Sequence, residues 1–441
     1  MKNFRLKAPL YAQMELTYAC NLACSHCYNE ERFSNDNGLV QLKLVKRERT
    51  QADRFVEIAE ELVRNEVFSV SLTGGEVFSV RDRLFSSIEA LARNRVDVTI
   101  NSNATLITED DARRLKDSGV IGVMTSLISY DSKIHDKVTN QEGSHEKTLR
   151  GIERLLNAGI YVAANMVVSK HNLDQVLETG KFAHSLGVGS FSTAQAVPSN
   201  NGGQMHLDHA LSSEEVLQYL EDLNHVRNQT GMHVKLTNPL PYCRVWESHP
   251  HLRYLVESAS CTAGRSIIQI DPQGNVKPCP MVSTGYGNIL AEGLKPAWDK
   301  LSEWNEDSYV PETCQPCDLV NLCKGACRAE AQRMAGDLNS KHPYSVKPIK
   351  LERKEVHNEN LYSGQKINTA RGLRFREEAD NIYVLYATGD RYLFARESDL
   401  KIISAINQNN GIIVNDAILA NNQMIELLSD GLKSGILMKA A

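Results

Sequence analysis

Short apolar runs rich in β-branched residues recur from about residue 10 to 200: Gln13–Thr17, Val67–Leu72, Val96–Asn101, Ile121–Ser126, Val162–Val168 and Val188–Thr193. Between them, Phe55–Val63, Leu84–Leu91, Thr148–Leu156 and Leu173–His184 space their apolar residues at helical intervals. This switching of period predicts strand–helix units, with parallel strands joined by crossover helices. Six units are too few for a complete eight-fold barrel, so the expected α/β architecture is a partial (β/α)6 TIM-like barrel or an open sheet. Either arrangement puts active residues at the C-terminal ends of the strands, and Cys20, Gly74 and Asn103 follow such ends.

Beyond residue 200 the pattern changes three times. Residues 200–242 predict one further helix with flanking loops, starting near Ser212-Ser213-Glu214-Glu215. Residues 243–345 are short-patterned, turn-rich and dense in cysteine, and a charged linker follows over Lys347–Lys366. In the last 70 residues Asn381–Thr388 and Arg391–Ala395 flank Gly389-Asp390, a two-residue hairpin turn. Helices around Glu397–Asn407 and Asn421–Ser434 and a short strand at Leu437-Met438 complete this module. The expected division is 1–240, 241–346, a linker over 347–370, and 371–441.

Composition narrows the class. With 42% hydrophobic and 23% charged residues the chain reads as an ordinary globular protein. A net charge of −5 gives no basic field for nucleic acid, and the run Lys43–Arg49 reads as a solvated loop. No apolar stretch approaches the ~20 residues of a membrane span. The first residues, Met1–Lys7, carry no secretory pattern, so the expected location is the cytoplasm, without membrane contact.

Ten cysteines in such a chain point to ligands rather than disulfides. Cys20, Cys24 and Cys27 fall within one short stretch, the next 215 residues have none, and Cys243, Cys261, Cys279, Cys314, Cys317, Cys323 and Cys327 follow. Three thiolates on one loop can hold three corners of an iron–sulfur cluster, leaving one iron open for chemistry. A zinc knuckle or buried thiols are the plainer alternatives. Thr73-Gly74-Gly75-Glu76 closes the second predicted strand: paired glycines permit positive φ and close backbone approach, and Glu76 offers an acceptor for an ammonium group. Taken alone, a Gly-Gly turn capping a strand explains the same residues. Asn103 after the third strand and Ser126 at the end of the fourth are further candidates, although Asn and Ser also serve as turn and cap residues.

The spacing Cys20-x3-Cys24-x2-Cys27 after the first strand resembles the radical S-adenosylmethionine (SAM) enzymes. The resemblance implies a [4Fe-4S] cluster on these three cysteines and bound SAM, with Gly74, Gly75 and Glu76 at its amino group. Asn103 and Ser126 would hold its ribose or carboxylate, and His26 would stand where the family has an aromatic ring. His135-Asp136 lacks the Arg that often follows in the family, so no carboxylate-binding Arg is carried over. Cys261, Gly274 through Cys279, and Cys314, Cys317, Cys323 and Cys327 resemble the SPASM extension, which implies two auxiliary [4Fe-4S] clusters. By the family's pattern Cys261, Cys279 and Cys327, with Cys243, serve the first, and Cys314, Cys317 and Cys323 the second. The family's further downstream Cys is missing, which leaves Asp318, His342 or an open iron to complete the second cluster. Residues 371–441 resemble the winged-helix-like, precursor-peptide-recognition module of the pyrroloquinoline-quinone pathway; a merely structural cap is the alternative.

These resemblances imply an oxidoreductase that uses a 5′-deoxyadenosyl radical to cross-link a ribosomally synthesised precursor peptide, with a flavodoxin or ferredoxin as electron donor. The alternatives are a sulfatase-maturase-type enzyme oxidising Cys or Ser to formylglycine, and a non-catalytic iron–sulfur electron carrier.

Overall fold

The computed structural model describes residues 5–29, 33–34, 41–42, 52–201, 204–205, 209–351, 361–379, 381–389, 391–419 and 421–439. The run Lys43–Arg49, part of the charged linker (352–360) and Asp390 of the predicted turn lie outside them. Two compact units divide the chain, Met1–Lys350 and Leu351–Ala441.

The first unit is built on one sheet. Its first six strands in sequence are β1 (Tyr11–Glu15), β2 (Ser69–Thr73), β3 (Asp97–Ser102), β4 (Gly122–Ser126), β5 (Val162–Val168) and β6 (Ser190–Gln195). They lie side by side in that order, each parallel to the next, and match the six predicted runs. Two more parallel strands were not anticipated: β7 (His233–Leu236) extends the sheet beyond β6, and β8 (Ile267–Ile270) pairs with β1. Both are only four residues long, too short for their period to be read against a neighbouring helix or a cysteine-rich loop. Val276–Lys277 adds an antiparallel edge beside β8. The sheet order ends at β7 on one side and at Val276–Lys277 on the other, so the barrel is open.

Helices cover the connections: α1 (Ala52–Arg64), α2 (Arg81–Ala92), α3 (Glu109–Asp117), α4 (Ser132–Thr139), α5 (Ser144–Asn157), α6 (Val176–Ser185) and α7 (Ser213–Thr230). The predicted start of α7 is a capping box. Ser212 Oγ accepts from Glu215 N–H at 3.2 Å, and Glu215 Oε2 accepts from Ser212 N–H at 2.6 Å. Phe55, Ile58 and Leu62 of α1 are buried, as are Val70, Leu72, Val98 and Ile100 on the strands. Each such side chain contributes about 1.5–3 kcal/mol by burial. Along β5 buried Val162, Ala164, Met166 and Val168 alternate with half-buried Ala163, Asn165 and Val167. This period of two separates the face under the helices from the concave face.

The second unit holds two three-stranded antiparallel sheets. Arg374–Ala379, Ile382–Ala387 and Arg391–Arg396 form a meander; Ile412–Ile413, Lys366–Thr369 and Leu437–Lys439 form the other sheet. Helices Glu397–Gln408 and Asn422–Lys433 pack with them, and the predicted apolar pattern serves two cores. Ile403 and Leu427 join Leu385 and Ile436, while Ile406 and Leu428 join Ile367 and Val414. Ala387 pairs with Arg391, which leaves three residues to connect the hairpin rather than two.

Candidate active site

The chain leaves β1 as a loop that carries Cys20, Cys24 and Cys27 and is held from two sides. On one side Gly75 N–H donates to Thr17 O at 2.7 Å and Glu76 N–H to Ala19 O at 2.8 Å. A Cβ on Gly74, whose φ is +148°, would stand 2.4 Å from Thr17 O, and one on Gly75 2.1 Å from Ala19 O. The paired glycines are therefore required by the approach of the cysteine loop's own backbone. On the other side Ala23 N–H donates to Thr139 O and Ser25 N–H to Val138 O, each at 3.0 Å, at the C-terminal end of α4. Buried Leu22 anchors the turn between the first two cysteines.

Each of the three thiols is partly exposed. Leu22 N–H donates to Cys20 Sγ at 3.4 Å and Asn103 Nδ2 to the same sulfur at 3.7 Å. His26 sits half-buried between Cys24 and Cys27. A fixed loop with three accessible sulfurs suits a cluster that is bound at three corners and open at the fourth.

Glu76 stands apart from its predicted task. It is fully buried, and its carboxylate already accepts three hydrogen bonds, from Phe78 N–H (3.0 Å), Ser102 Oγ (2.8 Å) and Asn103 N–H (2.9 Å). Burial raises its pKa, opposed by those bonds. Here Glu76 ties the loop after β2 to the loop after β3. Asn103 is fixed next to it: its side chain bonds Asn21 Oδ1 at 3.0 Å, and its carbonyl accepts from Thr148 Oγ1 at 3.0 Å.

Ser126 ends β4 half-buried and lies opposite Asn165 of β5, which in turn lies opposite Ser192 of β6. Ser192 Oγ donates to Asn165 Oδ1 at 3.2 Å. Asn165 was not singled out from sequence, although an amide within Val162–Val168 breaks an otherwise apolar strand. His135-Asp136 is structural. Asp136 accepts from Gly143 N–H, Ser144 Oγ and His145 N–H at 2.7–2.9 Å; burial would raise its pKa, but these bonds hold it low.

The later cysteines separate into two groups. Burial raises the thiol pKa of Cys279, to about 12, and that of Cys327, and Cys261 lies near enough to both to add like-charge repulsion. Cys243, grouped with these by the family pattern, instead lines a cavity of about 130 Å³ with Cys314, Cys317 and Cys323. The reason is local: Cys243 lies on the turn Tyr242–Arg244, which faces the segment after Cys327. Among the described residues no three His, Cys, Asp or Glu side chains converge tightly enough for a single ion. A cluster of several irons spreads its thiolates more widely than one zinc ion does.

Residues 14–183 match the Radical SAM superfamily. The mycofactocin maturase MftC of Mycolicibacterium smegmatis is 29% identical over 340 residues, covering 74% of this chain and 79% of that protein. The AdoMet-dependent heme synthase of Nitratidesulfovibrio vulgaris is 27% identical over 355 residues, 76% of this chain and 92% of that one. The crystal structure of Streptococcus suis SuiB superposes with a TM-score of 0.60 at 19% identity, over 77% of each chain, and shares the fold. SuiB has also been solved bound to the precursor peptide SuiA. No helix among the described residues is long and apolar enough to cross a membrane. With the cysteine loop at the end of β1 and this domain match around it, the chain carries a radical SAM domain over residues 14–183, of the superfamily that uses a [4Fe-4S] cluster and SAM.

Proposed function

We propose that this enzyme oxidatively modifies a ribosomally synthesised precursor peptide, forming a cross-link within it, and that the second unit captures the peptide's leader. The observation that carries the reading is a separately folded unit, Leu351–Ala441, attached to a radical SAM domain. Both outer strands of its meander, Arg374–Ala379 and Arg391–Arg396, are sheet edges, and Phe375 on the first is exposed. An edge strand binds an extended peptide through main-chain hydrogen bonds. One relative named a mycofactocin maturase and another named a subtilosin biosynthesis protein support the same reading.

Cys20, Cys24 and Cys27 would hold the cluster that, with SAM, supplies a carbon-centred radical able to abstract a substrate hydrogen. Gly74 and Gly75 hold the loop in register, and Asn165 and Ser126 offer polar groups on the concave face for orienting SAM or substrate. The apolar layer beneath excludes water, which an unguarded radical needs. The cysteine-rich segment would carry two auxiliary clusters that pass electrons during net oxidation. A small flavodoxin- or ferredoxin-like donor in the cytoplasm would reduce the enzyme.

Deleting residues 351–441 tests the reading. SAM cleavage should persist while modification of a full-length precursor falls at least tenfold, because the docking site raises local substrate concentration without touching the chemistry. Precursor turnover unchanged by the deletion would make the second unit a cap and favour a formylglycine-forming activity instead.

A further inference from the structure

The first auxiliary set contains three cysteines besides Cys243, and the second lacks a fourth in the family's usual place. No cysteine follows Cys327. The structure fills that vacancy from upstream. Cys243, Cys314, Cys317 and Cys323 face one cavity of about 130 Å³, with Tyr242 and Ile349 at its walls. The segment that follows the last cysteine folds over this cavity and points backbone donors at two of the sulfurs. Val346 N–H donates to Cys243 Sγ at 3.4 Å, and Ile349 N–H to Cys317 Sγ at 3.3 Å. Such N–H···S bonds are a normal part of the protein's hold on a cluster and help set its potential.

The other candidates are engaged elsewhere. His342 Nδ1 accepts from Tyr344 N–H at 3.3 Å, and its Nε2 lies 3.2 Å from Glu330 Oε2, so neither ring nitrogen is available. The Asp318 side chain is largely exposed, with Lys350 Nζ 3.7 Å away. Neither residue lines the cavity.

We propose that Cys243 is the fourth thiolate of the cluster held by Cys314, Cys317 and Cys323, leaving Cys261, Cys279 and Cys327 as a three-thiolate set. The ten cysteines then divide into a three-thiolate SAM site, a three-thiolate auxiliary site and one fully ligated auxiliary site. The proposal rests on the reading that this segment holds auxiliary clusters, and it assigns their ligands differently from the family pattern. Its chemical consequence is that the fully ligated cluster is closed to exogenous ligands, whereas the Cys261 set keeps an iron that no cysteine reaches.

The test uses full-length protein with Cys20, Cys24 and Cys27 replaced by Ala, reconstituted anaerobically, so that only auxiliary signals remain in the electron paramagnetic resonance spectrum after reduction. Single replacements Cys243→Ser, Cys317→Ser and Cys327→Ser each exchange one thiolate for an oxygen ligand. Cys243→Ser and Cys317→Ser should alter the same signal, and Cys327→Ser the other. Cys243→Ser altering the Cys327 signal, or altering neither, overturns the assignment. Circular dichroism of each variant checks that the fold survives, and the parent spectrum is the reference for all three. No auxiliary signal in the parent, with zinc bound instead, would overturn the cluster reading itself and is distinguishable from a wrong partition.

Discussion

Cys20, Cys24 and Cys27 share one loop of eight residues, whereas Cys243, Cys314, Cys317 and Cys323 reach their cavity from separated turns. The first site is fixed by backbone: Gly75, Glu76 and the end of α4 each bond the loop's main chain. The second is assembled by tertiary packing, and its cover comes from Val346 to Ile349. A ligand set held by local chain geometry can be read from spacing. One gathered across 81 residues, from Cys243 to Cys323, cannot, because which cysteine meets which depends on how the intervening loops fold.

The largest expected effect of breaking this contrast is at Gly75. An alanine there must place its Cβ 2.1 Å from Ala19 O, a backbone atom that cannot rotate away. Relief requires moving the cysteine loop, with overpacking costs of about 1–3 kcal/mol or more. Gly75→Ala should lose most of the iron bound at Cys20, Cys24 and Cys27 and cut SAM cleavage by over tenfold, while iron in the later segment is retained. Measured iron at parent level together with normal cleavage would mean the loop tolerates displacement and is not held by this contact.

Glu76 sharpens the comparison on a smaller scale. The sequence suggests a partner for the SAM ammonium, while the structure shows a buried carboxylate satisfied by Phe78, Ser102 and Asn103. Glu76→Ala would strand those donors, at about 1–3 kcal/mol for each one left unpaired in the interior. The expected outcome is a lower thermal unfolding midpoint in SAM-free protein, with weaker SAM binding as its consequence. Loss of SAM affinity with an unchanged midpoint would restore the direct ammonium contact.

Much of the barrel was legible because each strand and helix announces its own period. The six central strands, the capping box at Ser212 and the helices Glu397–Gln408 and Asn422–Lys433 all carry local signals. Strands of four residues or fewer, such as His233–Leu236 and Ile412–Ile413, carry almost none; their pairing is decided by neighbours distant in sequence. The glycine pair was recognised as a close-approach site, yet what approaches it, Thr17 and Ala19, could only be seen once the loops were placed. Asn165 escaped notice because a single amide in an apolar run has no motif.

The smallest expected effect concerns the anchor of the first site on α4. His135 is buried against His145, with ring centroids 5.1 Å apart. Burial, and then the neighbouring imidazole, push its pKa down to about 4. An unfolded chain would take up this proton near pH 6.5, whereas the folded chain resists it until about pH 4. Stability from this group is therefore complete above about 6.5 and is lost as the pH falls through that window, at up to about 1.4 kcal/mol per pH unit. Because Val138 O and Thr139 O hold the cysteine loop, this loosening should reach Ser25 and Ala23 but not the cavity around Cys243. Hydrogen exchange of Ser132–Thr139 amides, corrected for intrinsic rates, should speed up several-fold more between pH 7 and pH 5 in the parent than in His135→Phe. Equal acceleration in both proteins would place the acid sensitivity in other groups and detach His135 from the support of the cysteine loop.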